Sequence, residues 1–191
     1  MKNRLGLVLI LGLMLLIVGC GEDLPKDNQD QTKSTTQTEQ KTEQKAAAYQ
    51  LGTVINFFGA GNNSLQYIGK GWSRPEKNFT WTNGKEATLN FEISDVNKDL
   101  LLKVNSYAFI VRGKVEEQNV TLLANGQNIG QWQYSSTKNK GERTATVSKS
   151  IIKDNKLILT FQIPDSAVPK EQGFNNDTRT LGIAVSTIVI E

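Results

Sequence analysis

The sequence predicts an all-β domain, a two-sheet antiparallel β-sandwich of jelly-roll kind, preceded by a disordered tether. Three observations predict it. From Tyr49 onward apolar residues recur at every second position, paired turn formers break these runs at sandwich-like spacing, and no helical stripe of useful length interrupts them.

Ten runs qualify as strands: 53–58, 65–68, 79–82, 86–93, 100–111, 118–124, 127–134, 143–150, 157–163 and 181–190. In the fourth, Ala87, Leu89, Phe91 and Ile93 share one face, against Thr88, Asn90 and Glu92 on the other. The run 100–111 is longer and more apolar, as expected of a central strand buried on much of both faces. The runs 157–163 and 183–190 are rich in β-branched residues, while 165–173 has room for one short turn. Asn125-Gly126 between two alternating runs is a hairpin signal, because both central residues of a type I′ turn need positive φ. Asn83-Gly84 predicts a similar turn between 79–82 and 86–93.

The residues before this domain point to a compartment. Lys2 and Arg4 precede an apolar run over 5–18, too short for a comfortable membrane span and suited to the core of a signal peptide. Ile17-Val18-Gly19-Cys20 resembles the bacterial lipobox, which implies a lipoprotein signal peptide over 1–19 and lipidation of Cys20. Residues 20–48 then hold the lipidated cysteine and a linker with almost nothing apolar to bury, and residues 49–191 form the sandwich domain. The expected location is the cell membrane, outside the cytoplasm, with the lipid bilayer as partner through Cys20. A permanent anchor helix carrying a chance cysteine is the alternative.

Composition narrows the chemistry. The chain has no histidine, and Cys20 is its one cysteine, so Ser-His-Asp, Cys-His and His-metal sites are excluded. The net charge of +3 is small and evenly scattered, which argues against a nucleic-acid partner. No cofactor is implied. Calcium held by oxygen ligands would find its place in 174–178 (FNNDT), where Asn and Asp also serve to make turns.

Residues 69–93 (GKGWSRPEKNFTWTNGKEATLNFEI), then 118–132 (QNVTLLANGQNIGQW), then 163–190 combine a Gly-Trp followed by Pro-Glu, a second Trp, an Asn-Gly hairpin and a closing Asp-x-Arg-x-Leu-Gly. The positions are Gly71, Trp72, Pro75, Glu76, Trp81, Asn125, Gly126, Pro169, Gly173, Asp177, Arg179, Leu181 and Gly182. This pattern resembles a jelly-roll domain, similar to carbohydrate-binding modules, found at the ends of bacterial membrane glycosyltransferases and in other envelope polysaccharide proteins. The resemblance spans nearly the whole domain and implies a fold more than an activity. The second Trp follows Asn78-Phe79-Thr80, where that family often has a glycine or an aromatic residue.

The candidate binding residues are Trp72, Glu76, Trp81, Trp132, Tyr134, Asp177 and Arg179. Each tryptophan either stacks on a sugar ring or caps the core. Trp132 and Tyr134 alternate with Gln131 and Gln133 and so share one strand face. Glu76, Asp177 and Arg179 either grip sugar hydroxyls or bridge to one another as a latch between two loops. Three functions compete: a non-catalytic module binding carbohydrate or associated with envelope polysaccharide, a structural module docking a membrane protein without sugar contact, and a two-carboxylate glycoside hydrolase. The first is the expectation carried forward, and no signature links any two carboxylates for the third.

Overall fold

The computed structural model describes residues 46–191. The expectations placed on the leader, Cys20 and the tether as far as Lys45 lie outside the described residues. Ten strands follow in chain order: β1 (Ala47–Ala48), β2 (Ile55–Asn56), β3 (Thr80–Asn83), β4 (Glu86–Glu92), β5 (Leu100–Ala108), β6 (Glu117–Ala124), β7 (Gln127–Ser135), β8 (Lys140–Val147), β9 (Lys156–Gln162) and β10 (Leu181–Ile190). One sheet has the order β1-β4-β9-β6-β7, and the other the order β2-β10-β5-β8 with β3 also on β10. The predicted two-sheet, jelly-roll-like sandwich is the fold of the domain, and only the β1–β4 pair is parallel.

The period-2 pattern acts as expected. Leu89 and Phe91 of β4, Leu157, Leu159 and Phe161 of β9, and Leu100, Leu102 and Val104 of β5 are fully buried between the sheets. Residues between them face water, so alternation in sequence becomes one dry layer and two wet faces. Asn125-Gly126 closes the β6–β7 hairpin with φ of 45° and 82°. The Asn125 side chain adds three contacts: its amide donates to the carbonyls of Ile151 and Lys156, and its oxygen accepts from the amide of Ile158.

The structure departs from the sequence expectations in four places. Asn83-Gly84 does not close a hairpin. β3 pairs with β10 in one sheet while β4 pairs with β9 in the other, so the turn is a corner that carries the chain between sheets. The segment 65–68 is a 3-10 turn over Ser64–Gln66 followed by a single bridge from Ile68 to Leu89, where residues 67–70 exchange backbone hydrogen bonds with Thr88 and Asn90 of β4. β5 ends at Ala108 and is buried on one face, with Leu101, Lys103 and Asn105 toward solvent; at its end Tyr107 and then Phe109 join an outer cluster. Ala47 and Ala48, assigned to the linker, pair with Phe91 and Glu92 as β1, fixed by Tyr49, whose amide donates to the Glu92 carbonyl at 2.8 Å.

Two substitutions test this account by urea unfolding. Phe161→Ala empties the middle of the dry layer and is expected to cost about 3–5 kcal/mol. Asn125→Gly keeps the positive φ but removes three hydrogen bonds, and is expected to cost roughly 1–3 kcal/mol. A cost near zero for Asn125→Gly would show that the turn, and not the side chain, fixes this corner.

Candidate functional site

The Gly71-Trp72 segment is a corner strand. Trp72 bridges Thr82, and the Asn83 amide donates to the Gly71 carbonyl at 2.8 Å. Gly71 has φ of 80° and presses against the Glu86 carbonyl, where a Cβ would overlap that oxygen. The Trp72 ring therefore turns inward. It packs against Phe57 (5.2 Å between centroids) and Phe161 (6.0 Å), and its indole N–H donates to the Thr88 carbonyl at 2.8 Å.

The other aromatic candidates are also inside. Trp132 is 7% exposed, lies 6.2 Å from Phe161 and donates its indole N–H to the Thr144 carbonyl. Tyr134 is fully buried, with its hydroxyl 2.7 Å from that of Ser106 and the Arg143 guanidinium 4.4 Å from its ring centre. Burial pushes the Tyr134 hydroxyl above its ordinary pKa. Trp81, 8% exposed, lies on the outer face of the β10 sheet, under Phe79 and Tyr107 and beside Phe109. With Val115, Leu181 and Ala184 it forms a second, smaller core outside the sandwich. Of the two readings left open for the tryptophans, stacking on a sugar ring or capping the core, the packing matches the second: Trp81 and Trp132 are buried and Trp72 half-buried, with Tyr134 inside beside them.

Arg179 joins Glu76 and Asp177. Its Nη2 lies 3.0 Å from Glu76 and 2.7 Å from Asp177, and its Nε reaches both Asp177 oxygens at 3.1 Å. The Arg179 hydrogen bonds hold the Asp177 carboxyl below its usual range. These three residues tie the loop after Trp72 to the final loop, the latch rather than an open sugar grip. Tyr107 stands near this latch; burial first, and the Glu76 charge second, push its hydroxyl well up. In 174–178, the Asn175 side-chain oxygen accepts from the Asp177 amide and the Asp177 carboxylate is taken by Arg179. Among the described residues no three acidic side chains converge on a point where a metal would sit.

A different surface is open to a ligand. On the outer face of β6 and β7, Asn119, Thr121, Gln131 and Gln133 line a shallow groove of about 400 Å³. The register pairs Thr121 with Gln131 and Asn119 with Gln133, and carries the row on to Gln162 of β9. Gln133 donates to Glu117 at 2.9 Å and Asn119 to Asp165 at 2.9 Å, which fixes both amides in place. Every residue lining the groove is uncharged, and Asn119, Thr121, Gln131 and Gln133 offer both donors and acceptors, with Val120 and Trp132 between them. Sequence reasoning missed these residues although the signal was there: in Gln131-Trp132-Gln133-Tyr134 the glutamines were the outward half of the alternation.

The latch makes a pH prediction. Asp177 has a lowered folded pKa, so its contribution to stability is complete above the ordinary value of 3.8 and is lost as pH falls through the folded value. Asp177→Asn is expected to lower the melting temperature by a few degrees at pH 6, on the order of 1 kcal/mol, with the gap closing as pH falls below 3.8. A gap independent of pH would assign the loss to packing.

No protein-family model and no curated protein matches the chain. Among solved structures it is similar to a carbohydrate-binding module CBM36 in complex with calcium and xylotriose, at 12% identity over 73% of this chain and 99% of that one, TM-score 0.37. It is also similar to a family 35 carbohydrate-binding module from an environmental isolate, at 10% identity over 73% and 84%, TM-score 0.38. A third likeness covers 64% of this chain and 10% of an uncharacterized protein, lmo2446, from Listeria monocytogenes in complex with glucose, magnesium and calcium, at 20% identity and TM-score 0.36.

Proposed function

We propose that this protein is a non-catalytic carbohydrate-binding module, held at the cell membrane outside the cytoplasm by a lipid on Cys20, and that glycan binds on the outer face of β6 and β7. The observation that carries the reading is the row of uncharged amide and hydroxyl side chains in one groove: Asn119, Thr121, Gln131 and Gln133. Sugar hydroxyls donate and accept at once, and so do these groups; amides pre-set by neighbouring carboxylates also lose less entropy on binding. Glu76 and Asp177, two of the carboxylates on which a hydrolase could draw, are both engaged by the single Arg179 guanidinium. The envelope setting comes from the lipobox-like Ile17-Val18-Gly19-Cys20 and from the resemblance to envelope polysaccharide domains.

A second reading, docking of a membrane protein without sugar contact, is favoured by one feature. Phe174 is 61% exposed on the outer cluster, edge-on to Phe109 at 5.7 Å. A panel of envelope glycans separates the two. Binding that falls at least tenfold in Gln131→Ala and Gln133→Ala, and is unchanged in Phe174→Ala, supports the carbohydrate reading. Binding untouched by either glutamine variant would move the site elsewhere, and silence across the panel would favour docking.

A further inference from the structure

The groove on β6 and β7 does not stop at Asn119. The same side chain lines a second groove, of about 410 Å³, which runs past the start of β6 over Lys114, Glu116, Glu117, Asp165 and Gln172. Each groove alone is near the lower end of the ~300–1,000 Å³ that encloses a drug-sized ligand; joined, they make a track with room for a chain. Asn119 sits at the junction, with both its backbone and side-chain N–H groups donating to Asp165 at 2.9 Å.

The two halves differ in charge. The first is uncharged on its floor. The second holds three carboxylates against one ammonium, and that ammonium, Lys114, donates to the Gln172 carbonyl at 2.7 Å. Glu116 accepts from the Gly113 amide, Glu117 from Gln133, and Asp165 from Asn119. Within the described residues none of the three carboxylates makes a salt bridge, so this end of the track keeps a net negative field.

Resting on the carbohydrate reading above, we infer that the ligand is an oligosaccharide chain lying across both grooves, neutral over β6 and β7 and neutral or amine-bearing at the acidic end. A glycan with carboxylates or phosphates along its length is the wrong partner for this track. Polarity follows from the same layout, because the chain meets amides first and carboxylates beyond Asn119.

The test uses the full chain in detergent and titration calorimetry. The probes are β-1,4-linked N-acetylglucosamine oligomers of one to six units, their de-N-acetylated counterparts, and a uronic acid hexamer. The expected result is affinity that rises at least tenfold from dimer to hexamer, a de-N-acetylated hexamer bound at least tenfold tighter than the uronate, and a preference that fades at high salt. Glu116→Gln with Glu117→Gln should remove the charge preference, and Gln172→Ala with Lys114→Ala the gain with length, with melting temperatures unchanged. Dimer and hexamer binding equally, or the uronate binding as tightly as the amine, would overturn the inference while dimer binding lost in Gln131→Ala still upheld the carbohydrate reading. No binding by any probe would overturn both.

Discussion

Phe161 lies where the two sheets press on each other. Trp72 reaches it from the corner strand at 6.0 Å and Trp132 from β7 at 6.2 Å, so two segments far apart in the chain meet over one ring. The packing of that ring dictates much else. It requires Gly71 to clear Glu86 so that Trp72 can turn in, and it requires β7 to present Trp132 inward, which sends Gln131 and Gln133 out. The polar groove is thus a by-product of core packing: the residues that build the dry layer determine which residues are left to face water.

The outer cluster extends this logic to a third layer. Trp81, Phe109, Val115, Leu181 and Ala184 pack on the solvent side of the second sheet, beneath Phe79 and Tyr107. The Arg179 bridge to Glu76 closes the loops above Trp81, using charge at a rim where apolar contact alone would leave an open edge. A pair of this exposure contributes little energy by itself; its value lies in fixing which loops are neighbours.

Most of the fold was legible in the sequence because alternation and turn chemistry are local. Leu89 and Phe91, or Asn125-Gly126, announce themselves within a few residues. What was not legible is pairing between distant segments. Asn83-Gly84 has the composition of a hairpin turn, yet β3 finds its partner a hundred residues on, in β10, where the Trp81–Ala184 register places it. The site was half legible for the same reason. The period-2 rule groups Trp132 with Tyr134 and Gln131 with Gln133, but which group faces inward depends on Phe161 and Ser106, on other strands.

The entry of the chain has a mechanical consequence. β1 is two residues long and lies at one edge of its sheet, whereas β7 is the other edge, four strand spacings or about 19 Å away. A pull on the chain ahead of Ala47 loads the short parallel contact with β4 first, and then Tyr49, whose hydroxyl donates to the Thr53 carbonyl and accepts from the Ile190 amide. Force is taken up by a strand that can peel without breaking the dry layer, at the margin farthest from the amide groove. Tension entering there would therefore let out a few residues of slack before it strained the β6–β7 face.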